Sequence, residues 1–118
     1  MTMRVIIAGS RNTKNAYKAV MDALDQSGFV VDLDAVLSGH SGTVDLAAEK
    51  FAMTYGFDLE IYPANWKGRG RAAGPYRNGV MVGQADALIA LWDGKSRGTS
   101  GIIEMARAKR LKVYIHNV

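Results

Sequence analysis

Five short apolar runs alternate along this chain with four segments that carry apolar residues at helical spacing, and this alternation constrains the fold most. The first run, MRVIIAG, is rich in β-branched residues and ends in glycine, which is typical of a strand buried on both faces. We predict strands over five ranges: 3–9, 34–39, 58–64, 85–93 and 112–116. We predict helices over about 14–27, 43–56, 75–84 and 101–110.

Strands that alternate with helices form a parallel sheet, because each helix returns the chain to the edge where the last strand began. We therefore predict an α/β fold with a five-stranded parallel sheet of order 3-2-1-4-5 and helices on both faces, a three-layer sandwich. The sequence contains no linker, internal repeat or low-complexity stretch, so we expect a single domain over 1–118.

Composition excludes several classes of protein. The chain has no cysteine and two histidines, which rules out thiolate zinc sites, disulfides and a thiol nucleophile, and we predict no metal and no cofactor. No apolar run approaches the roughly 20 residues of a membrane span, and the N-terminal stretch lacks the features of a signal peptide. We expect a cytoplasmic protein with no membrane partner.

Positive charge is concentrated in one segment. The net charge is +4, and residues 61–85 contain no acid while they contain Lys67, Arg69, Arg71 and Arg77. Within this segment, WKGRGRAAGPYRN combines cations with glycine and aromatic residues. This local excess indicates an anionic ligand rather than a general device for solubility.

Glycine and hydroxyl residues follow three of the predicted strands, in GSRNT, SGHSGT and DGKSRGTSG. Each of these loops leads into a helix N-terminus, where free amides and the helix dipole favour a phosphate. The same residues also form capped turns, but their convergence on one sheet edge favours the ligand. The candidate ligand-binding residues are Gly9, Ser10, Arg11, Ser38, Gly39, His40, Asp45, Trp66, Arg77, Asn78, Ser96, Arg97, Gly98 and Thr99.

The sequence allows more than one role for several of these side chains. Trp66 stacks on a base or covers the edge of the core, and His40 contacts phosphate or takes part in acid–base chemistry unless it is only a turn residue. Asp45 reaches a ribose hydroxyl or complements a helix dipole. The sequence contains neither GxxxxGK[ST] nor a GxGxxG after the first strand, so a P-loop and a standard dinucleotide site are unsupported.

The motifs VIIAGSR, LSGHSGTVDLAAEKFA, WKGRGRAAGPYRNGVMV and DGKSRGTSG occur in an order that resembles the SLOG superfamily. This superfamily is named for the Smf/DNA-processing proteins and the lonely guy proteins, and the likeness is to its small YspA-like branch, often carried by bacteria and their phages. The resemblance implies a Rossmann-like fold, a nucleotide or nucleotide-derived ligand such as an ADP-ribose-type signal, and a homo-oligomer. The apolar helix face at Val80, Met81 and Val82 is a candidate for its interface.

The chain departs from the resembled families at two places. Where the YspA-like branch has Ser-Gly-Gly-Ala-x-Gly-x-Asp, His40 takes the place of the second glycine and Thr43 that of the third. Lonely guy enzymes cleave the bond between base and ribose with an arginine, matched by Arg77, and with a glutamate, where this chain has Ile102. Glu104 lies about 200° further round the helix and should face away from the site.

Three ligand-binding functions remain open at this point, beside a structural α/β domain whose basic loop serves an oligomer interface. The first is a non-catalytic nucleotide binder that senses or sequesters its ligand, and this is the one that the sequence favours. The second is a nucleoside-monophosphate phosphoribohydrolase, with Arg77 and Asp45 as the candidate catalytic pair. The third is a single-stranded DNA-binding module, which the few aromatic residues make the less favoured.

Overall fold

Strands and helices alternate through residues 2–118, the part of the chain that the computed structural model describes. The strands are β1 (Met3–Gly9), β2 (Leu33–Ser38), β3 (Asp58–Ile61), β4 (Ala87–Trp92) and β5 (Lys112–Asn117). The helices are α1 (Ala16–Ser27), α2 (Thr43–Tyr55), α3 (Trp66–Arg69), α4 (Ala73–Gln84) and α5 (Arg97–Ala108). Short 3-10 turns at Phe29–Asp32 and Gly70–Ala72 complete the described elements.

The five strands form one parallel sheet in the order β3-β2-β1-β4-β5, which confirms the predicted topology. Val5 of β1 lies opposite Val36 of β2 on one side and opposite Ala87 of β4 on the other. The chain moves outward from β1 in one direction through β2 and β3, and in the other through β4 and β5. The strand order therefore reverses between β1 and β4, and a crevice opens at the carboxyl edge at that point.

Each face of the sheet is covered by two helices, so the fold is a Rossmann-like three-layer sandwich. Alternate side chains of β1 serve opposite layers: Val5 packs with α1 and α2, and Ile6 packs with α4 and α5. Both side chains are fully buried. Burying each of these side chains contributes about 1.5–3 kcal/mol to stability. The two apolar layers together fix the positions of the strand ends from which the loops begin.

Several predicted boundaries are wrong by a few residues. Helix α5 begins at Arg97 instead of 101, because Ser96 caps it by accepting a hydrogen bond from the Thr99 amide at 3.4 Å. Helix α4 begins at Ala73, two residues before Pro75. A proline is tolerated in a first helical turn because the amides there have no intrahelical acceptor. Strand β3 ends at Ile61 rather than at 64.

The oligomer contact expected at Val80, Met81 and Val82 is wrong for two of these residues. Met81 and Val82 of α4 are buried against the sheet, and of that trio Val80 alone is exposed. The sheet rather than a partner therefore covers the apolar face of α4. Met53 and Tyr55 of α2 are 68% and 58% exposed, so neither belongs to the buried face of that helix. Among residues 2–118, every helix is too short or too polar to cross a membrane.

Candidate functional site

A cleft of about 970 Å³ opens at the carboxyl edge of the sheet, where the strand order reverses. Its walls are formed by the loops that follow β1, β2 and β4, by helices α3 and α4, and by the start of α5. This volume lies in the range of small-molecule sites. The position agrees with the sheet edge at which the sequence places a ligand.

Twelve of the fourteen candidate residues line this cleft. They are Gly9, Ser10, Arg11, Gly39, Asp45, Trp66, Arg77, Asn78, Ser96, Arg97, Gly98 and Thr99. The other two, Ser38 and His40, do not line it. Five cations and three carboxylates are among the lining residues, so the cleft carries a net positive charge.

Arg77 is the most constrained charged group of the cleft. It is buried, and its Nη1 donates hydrogen bonds to the main-chain oxygens of Gly39 and, at 3.2 Å, of Tyr62. Its Nε donates to Asn78 Oδ1 at 2.8 Å. Its Nη2 donates to no residue in 2–118, and Nη2 is not fully buried, since every fully buried side-chain nitrogen and oxygen there has a partner. Burial lowers the pKa of Arg77, and the charge of Asp45 opposes this shift.

Gly39 is the reason that Arg77 can lie where it does. A Cβ at position 39 would stand 2.5 Å from Arg77 Nη1 and 2.8 Å from its Cζ. The guanidinium therefore passes over bare backbone at the end of β2. The sequence singled out both residues, but it gave no indication that they touch.

Asp45 lies in the first turn of α2 with its carboxylate buried beside the cleft. Its Oδ2 accepts hydrogen bonds from the Ser41 amide at 2.9 Å and from the Ser41 hydroxyl at 3.0 Å. Burial raises the pKa of Asp45, while the Ser41 hydrogen bonds and the charge of Arg77 lower it. The cleft thus holds one buried carboxyl group whose pKa is raised, close enough to Arg77 for the two charges to interact.

The loop after β1 is fastened to the start of α2. The Thr43 amide and hydroxyl both donate to the Arg11 oxygen at 3.0 Å, and the hydroxyl also reaches the Thr13 oxygen at 3.1 Å. A Cβ at Gly42 would lie 2.9 Å from Arg11 Cα, so the two loops are in close contact. Thr43 is a positioning residue that the sequence analysis did not select.

The loop after β4 is organised by Asp93. Its Oδ1 accepts the amides of Lys95 and Ser96, each at 2.8 Å, and these hydrogen bonds lower the pKa of Asp93. Two amides expected to face a phosphate are already used: Ser10 donates to Leu91 and Thr99 to Ser96. The Arg97 and Gly98 amides, at the start of α5, make no hydrogen bond within residues 2–118.

Ser38 and His40 belong to a cluster behind the cleft, so their assignment to the cleft wall is wrong. Ser38 Oγ donates to Glu49 Oε2 at 2.7 Å, and His40 Nδ1 lies 2.8 Å from the same oxygen. Glu49 of α2 is buried, and its contacts with Ser38 and His40 hold both side chains against that helix. His40 has a φ of 56°, in the left-handed region that glycine prefers.

Most of the cationic segment 66–78 faces away from the cleft. Lys67, Arg69 and Arg71 do not line it, and the Arg69 guanidinium stacks on Tyr76 at 3.6 Å from the ring centroid. Of the four cations that indicated an anionic ligand, Arg77 alone lines the cleft, and the other three are exposed on α3 and the following turn. Trp66 does line the cleft and is 47% exposed.

Residues of α1 and of the end of β5 also line the cleft, and the sequence analysis missed them. They include Lys18, Asp22, His116 and Asn117, and Lys14 lines the cleft from the turn before α1. The helical spacing predicted for α1 placed Lys18 and Asp22 on one face of that helix, but it did not show that this face meets the cleft. The lining of the cleft by residues at the end of β5 follows only from the strand order, which places β5 next to β4.

The position of Ile102 agrees with the helical spacing predicted for it. Ile102 is 1% exposed and lines the cleft, whereas Glu104 is exposed and does not. The carboxylates of the cleft are Asp22, Asp45 and Asp93. Residues 2–118 bring together no three His, Cys, Asp or Glu side chains that could hold a metal ion.

A solved structure of DNA processing protein A (DprA) from Streptococcus pneumoniae has a similar fold, with a TM-score of 0.77. The match has 19% sequence identity and covers 97% of this chain and 50% of that protein, so the chain spans about half its length. At this identity the likeness establishes the fold. No curated protein matches the chain in sequence.

A family model matches residues 3–68, which is more than half of the chain and includes β1, β2, β3 and the loops between them. The matched region contains the GSR loop, the Gly39 turn and Trp66, which together form one wall of the cleft. The chain belongs to the YspA, cpYpsA-related SLOG family (YAcAr).

Proposed function

We propose that the chain binds a phosphorylated nucleotide, or a ligand derived from one, in the cleft and releases it unchanged. Arg77 carries this proposal. Its guanidinium is fixed by two main-chain oxygens and by Asn78, and Nη2 has no acceptor within residues 2–118. A guanidinium held in place loses little conformational entropy when it binds a phosphate oxygen, which favours Arg77 as the anion contact.

The start of α5 supplies the second part of the phosphate site. The amides of Arg97 and Gly98 have no acceptor within residues 2–118, and they lie at the positive end of the helix dipole. The Arg97 side chain and Arg11 also line this part of the cleft. Amides and guanidinium groups that converge on one space suit an anion with several oxygens.

Trp66 is the proposed contact for the base. Its ring is about half exposed at the cleft, and the Arg11 guanidinium lies 5.7 Å from the ring centroid. Stacking on an indole contributes about 1–3 kcal/mol per base and needs no particular base identity. A ligand with its base on Trp66 and its phosphate near Arg77 would be sensed or sequestered without being cleaved.

Retention from a mixed pool tests the proposal. The purified protein is incubated with nucleoside monophosphates, NAD, ADP-ribose and cyclic ADP-ribose, freed of unbound material and denatured by heat, and the released compounds are identified by mass spectrometry. We expect one nucleotide-type compound, released intact. Retention should be lost in Arg77→Ala and kept in Arg107→Ala, which removes an exposed arginine outside the cleft.

A phosphoribohydrolase is the second candidate, and the burial of the Asp45 carboxyl group beside the cleft favours it. A carboxyl group with a raised pKa beside a guanidinium can serve as a general acid for a leaving base. In that case the same experiment yields free base and ribose phosphate, and Asp45→Asn abolishes the product while it preserves retention. Intact ligand from both proteins rejects the hydrolase.

Binding of single-stranded DNA is the third candidate, since the similar solved structure is of a DNA processing protein. The two modes differ in their dependence on salt. DNA binding releases many counterions and weakens steeply as salt rises, whereas a nucleotide in a cleft loses much less affinity. Titration of a fluorescent oligonucleotide and of the retained nucleotide at two salt concentrations separates them.

The proposal of a homo-oligomer now depends on a surface that shares only Val80 with the one predicted. Val80 and Tyr76 of α4 are exposed beside Ile61, and these side chains line a second, smaller groove. Light scattering of the protein and of Val80→Glu tests whether this surface joins copies of the chain. A mass that is unchanged by the substitution rejects the surface as an interface.

A further inference from the structure

A second surface of the molecule lies at the free edge of the sheet. Strand β3 is the last strand on its side and pairs only with β2. The Tyr62 amide donates to the Ser38 oxygen at 2.8 Å, and main-chain groups point to alternate sides along a strand, so those of Leu59 and Ile61 point away from β2. Within residues 2–118 these groups have no hydrogen-bond partner. The edge can therefore accept one more extended chain.

An apolar groove lies beside this edge. It has a volume of about 350 Å³ and separates the chain that follows β3 from helix α4. Ile61, Tyr76 and Val80 line it, and all three side chains are exposed. Arg77 forms part of its wall and also lines the cleft, so the two cavities share one side chain. Exposed apolar side chains that share a concave surface favour a partner that removes them from water.

The two ends of this edge differ in charge. Asp58 is exposed and begins β3, about 10 Å from the last residue of that strand, whereas Glu60 is already paired with Arg4. At the other end Arg69 lines the groove, and its guanidinium lies 3.6 Å from the centroid of the Tyr76 ring. Among residues 2–118 no carboxylate forms an ion pair with Arg69. A chain that runs along the edge therefore meets a carboxylate at one end and a guanidinium at the other.

Size and shape select the kind of partner. Nine residues line the groove, whereas a stable interface between folded proteins takes about 20–30 residues from each side. A second copy bound through the same surface would set one groove against another and leave both unfilled. Nucleic acid is disfavoured because its phosphates would pass the Asp58 carboxylate and because Arg69 already covers the Tyr76 ring. An extended peptide segment can fill the groove and pair with the edge at the same time.

We infer that β3 and the groove bind an extended segment of a partner protein, which adds to the sheet as a further strand. One of its apolar side chains enters the groove, an acidic residue meets Arg69, and a basic residue meets Asp58. Main-chain hydrogen bonds to the edge supply affinity, and the side-chain contacts fix the direction of the segment. The inference does not depend on a ligand in the cleft, and so it goes beyond the proposed function.

Designed peptides test the inference, with the amide signals of the isotope-labelled protein followed in NMR spectra. The peptides KKTVIVTEE and EETVIVTKK have one composition and opposite orders of charge, which correspond to the two directions in which a segment can run along β3. We expect one of them to shift the Leu59, Ile61 and Val80 signals and to bind at least about tenfold more tightly than the other. Two successive prolines at its centre should abolish binding, because one of them removes a main-chain donor on the side that faces β3.

Variants of the protein assign the contacts. Val80→Glu should abolish the binding of both peptides, because it places a charge in the apolar groove. Arg69→Glu should weaken the preferred peptide about tenfold and remove the preference between the two charge orders. Arg107→Glu makes the same change of charge at an exposed arginine that lines neither cavity, so it should bind as the wild type does.

Several results would overturn the inference. One is that neither peptide shifts the β3 signals, and another is that the two charge orders bind equally or keep their preference in Arg69→Glu. In the light-scattering experiment, a dimer that is lost in Val80→Glu would give the groove to a second copy. An oligonucleotide that shifts the same signals and displaces the peptide would give it to nucleic acid. All of these results leave nucleotide retention in the cleft unchanged, so the proposed function is judged separately.

Discussion

Substitution of Gly39 by alanine should damage the site through Arg77. Gly39 does not have a positive φ, so the backbone accepts alanine, but the new Cβ would lie 2.5 Å from Nη1 and 2.8 Å from Cζ. The guanidinium must then leave the oxygens of Gly39 and Tyr62. Each hydrogen bond from a charged donor contributes about 1.5–3 kcal/mol, and renewed hydration and the lower entropy of the unfolded alanine chain return part of it. We expect a net loss of about 1–2 kcal/mol in unfolding free energy.

Ligand affinity should fall more clearly than stability. A displaced guanidinium loses a charge-assisted contact with the ligand worth about 1.5–3 kcal/mol. This loss corresponds to a roughly 10- to 100-fold increase in the dissociation constant. Urea denaturation followed by circular dichroism gives the first quantity, and calorimetry with the retained nucleotide gives the second.

Gly79→Ala is the matched control for this substitution. Gly79 lies in the same helix as Arg77, is exposed, and has no atom within 4 Å of an added Cβ. It should gain up to about 1 kcal/mol from helix propensity and bind normally. Wild-type affinity in Gly39→Ala would refute the role given to Arg77.

Three further substitutions test individual side-chain contacts, one between strands of the sheet and two in the loops beside the cleft. Glu60→Gln should cost about 0.5–1 kcal/mol at pH 7, because it breaks the half-exposed pair with Arg4. The pKa of Glu60 is lowered, so this stabilisation is present above the unfolded value of 4.5 and is lost as pH falls through the folded pKa; denaturation at about pH 7 and about pH 3 should show the difference disappear. Thr43→Val should cost about 1 kcal/mol and speed amide exchange in the loop after β1, whereas unchanged exchange would contradict its fastening role. His40→Gly relieves about 1 kcal/mol of backbone strain but removes a partner of buried Glu49, worth about 1–3 kcal/mol, so urea denaturation should show a small net loss; a gain would mean that this contact is negligible.

The topology was predictable because it depends on features that repeat along the sequence. Buried strands such as MRVIIAG and the periodic apolar face of α1 fix the element types, and the rules for parallel connections leave few strand orders. Boundaries were less predictable where polar side chains decide them. Capping by Ser96 moves the start of α5 to Arg97, and a glycine-rich stretch that resembles a loop becomes the first helical turn.

The position of the site was predictable for the same reason, since loops at the carboxyl edge must converge wherever the strand order reverses. The hydrogen bonds that individual atoms make there were not predictable. The sequence places Ser10 and Thr99 at the edge, but it does not show that main-chain and capping acceptors already occupy their amides. Nor does it show that Lys18 lines the cleft, because that depends on how α1 packs over the sheet.

His40 shows why a departure from a family pattern needs the structure for its interpretation. The position has a φ of 56°, in the left-handed region that glycine adopts most easily, and a glycine stands there in the pattern that the sequence resembles. The buried Glu49 accepts from Ser38 and lies within hydrogen-bond distance of the His40 imidazole, and these contacts offset the backbone strain. Side-chain hydrogen bonds thus hold the loop that presents Gly39 to Arg77. His40 directly follows Gly39, whose oxygen accepts a hydrogen bond from Arg77, so we expect a substitution of His40 to reach the cleft through the position of that oxygen.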